Sequence, residues 1–555
     1  MKNILYLFLI FVSLTVFGQV PLNDENRKFM ESYTETPVAF TDRNLYLSGE
    51  NIWFTTILLT NSAYQSNTVS KVLYVEIFDK ATRAIAQGKF EIVKNICSGN
   101  MTIPAETLSG AYFIRFYTKY QQNQKLENQA LIPLTIVNPE MTLPSTEAAN
   151  TTVKPLEEKY AVSVNSVKDE YTKRERVLLE INLPNDFQGF LSVSAVLKNT
   201  IQHNIEPVSP EPGFSNDYFY VPDIRGISLS GFVRDKTTLK PIENAEVYLS
   251  AFGNQRIFQM NETFENGTFL FALKNPTGIA DVFVSIDPTH YPNSEIKINN
   301  GFSNFFGILP NHPFFLDTTY RRLLTKMLIN HQSQQVFEMQ QFTASENATL
   351  KNFPSSVDFS VSPDDYISLS TIEEIIYEIV HPVSVKSNEG KKYLAVANHE
   401  TQQRSSADLV LLDNVPVFNI DELLKISPSL IRTIDVIQRP YYIGDYLLSG
   451  VVSFKTKTDD FGGHKFPGQS TFLEYHTYNN NLSVSLPDYS KMENFQSPLP
   501  DFRTTLFWMP FTETSNSQIE VAFFTSDVSG IYDIRVIAVS TAGDIFWGNG
   551  EITVQ

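Results

Sequence analysis

Eight histidines, His203, His290, His312, His331, His381, His399, His464 and His476, are the first residues in this 555-residue chain that could do chemistry. None falls in HExxH or another close metal-ligand spacing, so each reads as a loop or surface residue and no metal is expected. The chain has no G-x-S-x-G elbow and no phosphate-binding loop, and its one cysteine, Cys97, has no base-like motif beside it. Glu373, Glu374 and Glu378 are close enough in sequence to suggest a pair of acid/base carboxylates. Ser370 and Glu373 are, however, spaced as a helix capping box, and capping plus a solvated helix face accounts for all three. No catalytic residue and no cofactor site is therefore assigned. A hydrolase would need carboxylates or histidines converging from distant parts of the chain.

Two short stretches read as turning or binding elements. In LVLLDNVPVF, residues 409–418, Asp413 and Asn414 interrupt an apolar run. Both tolerate the left-handed backbone of a tight hairpin, so the chain is expected to reverse there. In RPYYIGDY, residues 439–446, Tyr441, Tyr442 and Tyr446 flank Gly444 in what reads as a loop. Exposed rings there would anchor a protein partner. The alternative is packing against a neighbouring domain.

The elements that must carry these residues are mostly strands. Phe 42 and Tyr 25 stand against Trp 3, and with abundant Thr, Val and Ile this favours β-structure. In KVLYVEIFD, Leu73, Val75 and Ile77 share one face, and Val72, Tyr74, Glu76 and Phe78 share the other. Both faces are partly apolar, as a sandwich requires. Residues 316–340 are helical in pattern, with Leu323, Leu324, Met327 and Leu328 on one stripe. That stripe predicts a helix packed on a neighbouring domain, or alternatively a partner-binding helix. The expected fold class is mainly β: tandem β-sandwiches plus one small α+β domain.

The ends and the charge limit the setting. Residues 1–18, with Lys2 ahead of an apolar run, read as a secretory signal peptide cleaved after Gly18. No later stretch reaches the roughly 20 apolar residues of a membrane-spanning helix, so no integral membrane segment is expected. A net charge of −18 without clustered Lys and Arg argues against nucleic acid. A lone cysteine excludes internal disulfides, and Cys97→Ser should be mild if that side chain is partly exposed.

Three resemblances organise the chain. YLSGENIWFTTILL, followed by a strand, a turn and LSGAYFIRFYT, resembles the macroglobulin-type (MG) domain of large exported Bacteroidetes proteins, here residues 19–145. Protease-trapping relatives build a reactive thioester from Cys-Gly-Glu-Gln, whereas Cys97 lies in ICSGN, which implies that none forms. Residues 155–222 resemble a second module of this kind, either short in itself or completed by chain from elsewhere. SLSGFVRDKTTLKPIENAEVYLSA and ENGTFLF resemble a carboxypeptidase regulatory-like sandwich over 226–312, with Gly231, Pro241, Ala245 and Gly267 in the expected order. After a helical connection, 313–350, residues 351–462 are similar to the plug domain of TonB-dependent receptors: strand, Asp-Asn turn, Pro-Val, helix, TIDVI and GVVSFKT. Asn414 stands where that family usually has Gly. About 95 residues remain beyond it, read as a C-terminal β-sandwich over 463–555 rather than a receptor's barrel.

Together these resemblances imply a non-catalytic exported scaffold or accessory subunit. Its partner would be an outer-membrane β-barrel protein, or a secretion or transport complex, on the periplasmic side or at the cell surface. The candidate docking residues are Tyr441, Tyr442, Gly444 and Tyr446. The alternative function is a glycan-binding or adhesive envelope protein.

Overall fold

Alternation of apolar side chains sets the strand faces throughout the structure, a computed structural model. It describes residues 19–21, 24, 27–28, 33–60, 69–123, 130–141, 162–201, 218–252, 256–273, 278–304, 306, 309–316, 320–338, 356–479 and 486–555. The signal-peptide reading of residues 1–18 and His203 lie outside the described residues. The fold is mainly β, in many separate sheets. It divides into two compact units, 1–21 with 227–301 and 347–477, and 22–226 with 302–346 and 478–555.

In the second of these, one sandwich is built from the sheet Glu35–Thr41, Asn51–Thr60 and Ile96–Thr102. Facing it are Leu45–Leu47, Ala130–Val137, Gly110–Tyr117, Val72–Asp79 and Ala84–Glu91. Leu73, Val75 and Ile77 enter its core with Phe54, Phe90 and Ile114. The opposite face of that strand is covered by chain from beyond residue 301. The Phe302 ring meets Tyr74 at 5.5 Å, the Phe306 ring meets Phe78 at 4.9 Å, and Arg115 bridges Glu76 and the Ser303 carbonyl. Phe302, Ser303, Phe306 and His312, which the sequence assigns to the neighbouring sandwich, thus pack on this one.

The helix Tyr320–Glu338 lays Leu323, Leu324, Met327 and Leu328 against Leu45, Leu47, Val137 and Phe314, the packing role its stripe suggests.

Of the two readings of segment 155–222, the structure shows completion by chain from elsewhere, and that chain is 463–555, which is therefore not a separate sandwich. Arg176–Asn182 pairs antiparallel with Gln518–Phe524 along its whole length. Gly189–Leu197 lies between Thr505–Thr514 and Gly530–Ser540. One core, with Val177, Leu179, Val193, Val521, Phe523 and Val536, fills the space between the two sheets. The shorter segment has too few strands to bury its own apolar faces, so the chain's last strands complete it.

In the other unit, Thr268–Leu273, Ile227–Asp235 and Ser294–Ile298 form one sheet of a sandwich. The other sheet is Ile257–Glu262, Glu246–Phe252, Ile279–Ile286 and Thr471–His476. Its last strand comes from the 463–555 segment and pairs Phe472 with Phe283. Gly267 turns at φ 72°, where a Cβ would lie 2.6 Å from the Val233 carbonyl.

Candidate partner-docking site

A five-stranded sheet, Phe359–Val361, Ile431–Ile437, Val451–Thr456, Leu409–Leu412 and Val415–Pro416, centres the module over 356–461. Its strands alternate between two apolar clusters. Val410, Leu412, Ile434, Val452 and Phe454 pack under Ile372, Ile375 and Ile376 of the helix Ile372–Glu378 and under Ile420 and Leu423 of a shorter one. Leu409, Leu411, Ile437 and Val451 point the other way, onto Tyr248 and Phe258 of the adjacent sandwich. Both faces of this sheet are therefore covered within one unit.

Asp413 and Asn414 close the hairpin between Leu412 and Val415, with φ of 48° and 71°. Both side chains are buried, and they fare differently. The Asp413 carboxylate accepts from the Thr456 amide at 2.7 Å, the Thr456 hydroxyl at 2.6 Å and the Phe461 amide at 2.9 Å. The Asn414 carbonyl accepts from Ser250 Oγ at 2.6 Å, fastening the turn to the sandwich. Its side-chain amide has no hydrogen-bond partner. A turn residue and a buried anchor thus sit side by side.

RPYYIGDY is not a loop. Tyr441–Ile443 and Tyr446–Leu448 form an antiparallel ribbon closed by Gly444 (φ 60°) and Asp445. A period of two sends residues 441, 443, 446 and 448 to one face and residues 442 and 447 to the other. Ile443 and Leu448 are buried in the cluster around Tyr248, and Tyr441 packs on it. Burial first, then the carboxylates of Glu262 and Glu246, pushes the Tyr446 phenol up to about 12. Of the four expected docking residues, Tyr441 and Tyr446 face inward and Gly444 supplies the turn. Only Tyr442 is presented, 70% exposed. Its cross-strand neighbour Leu447, 50% exposed, was missed. Reading the ribbon's alternation around a two-residue Gly-Asp turn would have found it.

The remaining sequence candidates are structural. The capping pair is shifted by one: Thr371 is the cap and accepts from the Glu374 amide at 3.1 Å, and Glu374 reaches back to the Ser370 amide at 2.8 Å. Starting the helix at Ile372 aligns its three isoleucines on the core, which sets this register. Glu373 pairs with Lys392, and Glu378 is exposed. His312 departs from the surface reading, being buried with its Nε2 2.9 Å from the Leu134 carbonyl. His331 lies on the long helix. Among the described residues no cluster of His, Cys, Asp or Glu could hold a metal ion. Cys97 is 2% exposed in the first sandwich core, where burial pushes its thiol far up and makes it inert. The condition for a mild serine substitution is therefore not met.

The chain matches no protein-family model, and no curated protein matches it in sequence. Among solved structures, Salmonella alpha-2-macroglobulin reacted with methylamine is similar over 94% of this chain at 10% identity and TM-score 0.23. The native conformation of E. coli alpha-2-macroglobulin is similar over 94% at 9% identity and TM-score 0.24. The Yersinia pseudotuberculosis adhesin InvE is similar over 48% of this chain and 58% of its own, at 10% identity and TM-score 0.13. The chain spans 39% and 40% of the two macroglobulins.

Proposed function

We propose that this chain is an exported, non-catalytic scaffold or accessory subunit that docks on an outer-membrane β-barrel protein or a secretion or transport complex. The ribbon Tyr441–Leu448 is the docking element, with the chain held peripherally at the periplasmic side. One observation carries the reading: the inner face of the ribbon is tied into its own unit, and Tyr442 and Leu447 stand outward as an adjacent aromatic–aliphatic pair. The plug-like order of elements over 351–462 supplies the class of partner. Among the described residues no helix is long and apolar enough to cross a membrane.

Aromatic anchors that act as interface hot spots lose about 2 kcal/mol or more on truncation. Tyr442→Ala with Leu447→Ala should therefore abolish co-purification of a barrel protein from solubilised envelopes, with thermal melting unchanged. Retention of the partner by a folded double variant would refute the assignment.

A further inference from the structure

The outward face of the ribbon has chemistry beyond its two apolar side chains, and this inference rests on the docking role just proposed. With Ile443 opposite Tyr446 across a two-residue turn, the register turns the backbone N–H and C=O of Tyr442 and Leu447 away from each other, toward the two edges. Among the described residues no third strand flanks either edge. Exposed edges of this kind are templates for an added strand, and charges or prolines usually guard them. Here the outward side chains are an exposed tyrosine and an exposed leucine, and the Arg439 and Pro440 that precede the ribbon lie ahead of its paired residues, with Arg439 turned to Asp358 at 3.5 Å. Beside the ribbon, Glu246 and Glu262 are cross-strand partners on the sandwich hairpin whose Tyr248 packs with Ile443 and Leu448, Glu246 accepts from the Tyr248 hydroxyl at 2.6 Å, and Asp445 lies in the ribbon's own turn. Glu246, Glu262 and Asp445 are all exposed.

We infer that the occupant is an extended segment of a partner protein that adds a strand to the ribbon, laying an apolar residue over Tyr442 and Leu447 and a Lys or Arg toward Glu246, Glu262 and Asp445. Main-chain hydrogen bonds supply the affinity in such an addition, and alternate side chains supply the selection. A second copy of this chain is disfavoured, because it would bring the same carboxylates face to face. Anionic lipid and nucleic acid are disfavoured by the same repulsion.

The test uses the purified full chain and three fluorescein-labelled dodecapeptides. One alternates Val with Lys and Thr, the second replaces every Lys by Glu, and the third keeps Lys with alternate backbone nitrogens methylated. In fluorescence polarisation the Lys peptide should bind, more weakly as salt rises. The Glu and N-methyl peptides should each bind at least tenfold more weakly. Tyr442→Ser with Leu447→Ser should weaken the Lys peptide at least tenfold. Leu447→Lys, a second exposed change, should weaken the Lys peptide and strengthen the Glu peptide. Equal binding of the N-methyl peptide would overturn strand addition, equal binding of the Glu peptide would overturn the charge selection, and no binding of the Lys peptide would overturn both. If these fail and barrel co-purification still depends on Tyr442, the docking role stands without this mode. If the Lys peptide binds as expected and no barrel protein co-purifies, the barrel assignment fails and strand addition stands.

Discussion

Asp413 and Asn414 are adjacent, buried and both left-handed, yet the same replacement should move stability in opposite directions. Glycine suits this backbone conformation and carries an entropy cost of roughly 0.5–1 kcal/mol in the unfolded chain, so the backbone contribution is similar at the two positions. The side chains decide the outcome. Asp413→Gly removes an acceptor of three hydrogen bonds, from Thr456 N, Thr456 Oγ1 and Phe461 N. Hydrogen bonds to a charged group contribute about 1.5–3 kcal/mol each, and buried donors left behind are costly. Their shared dependence on one carboxylate makes the sum less than additive, so a loss of about 3–5 kcal/mol is expected. Asn414→Gly removes an amide whose oxygen and nitrogen are both buried without partners. Relief of about 1–3 kcal/mol is set against roughly 1 kcal/mol of lost packing, and a net gain near 1 kcal/mol follows. The Ser250 bond is to the Asn414 backbone carbonyl and survives the change. Because a chain of several sandwiches does not unfold in two states, the assay is native-state hydrogen exchange of peptides covering 409–416 and 451–461. Protection should fall sharply in Asp413→Gly and hold or rise in Asn414→Gly. Equal behaviour of the two variants would refute the argument, since it would leave only the turn conformation they share.

Two other outcomes follow from buried groups in the first sandwich. Cys97 should resist alkylation in the native protein, and Cys97→Ser should cost about 1–3 kcal/mol by burying a hydroxyl in an apolar core, read as a lowered melting temperature. Lys89, buried near the rings of Tyr74 and Phe302, is brought down to about 7 by desolvation first and by Lys119 second, with Asp223 opposing. Between pH 7 and 10.5 the unfolded chain holds this proton and the folded chain does not, so stability from this group rises with pH across that window. Lys89→Met should therefore gain most over wild type near pH 7 and lose that advantage toward pH 10. A melting-temperature difference that does not vary with pH would contradict it.

Local chemistry was legible in the sequence, and distant pairing was not. Asp413–Asn414 announced a reversal because few other residue pairs accept two successive left-handed conformations. Nothing near them announced Thr456 and Phe461, more than 40 residues on, as donors to Asp413. Tyr74, Glu76 and Phe78 signalled a second covered face, but the cover comes from Phe302, Ser303 and Phe306, far along the chain. The split sandwich follows the same logic, because Arg176–Asn182 finds its neighbour at Gln518–Phe524. Within the candidate site the error was of a different kind. Treating 439–446 as a loop hid the period of two that separates inward Tyr441 and Tyr446 from outward Tyr442 and Leu447.

The most direct test of the docking claim is photo-crosslinking in intact envelopes, with a photoreactive phenylalanine at position 442, at 447, or at 377. Tyr377 is also highly exposed, on the helix that covers the other face of the module's sheet. The account predicts adducts with one outer-membrane β-barrel protein from positions 442 and 447, and none from position 377. Absence of a barrel adduct from 442 and 447, or an equal yield from 377, would contradict it.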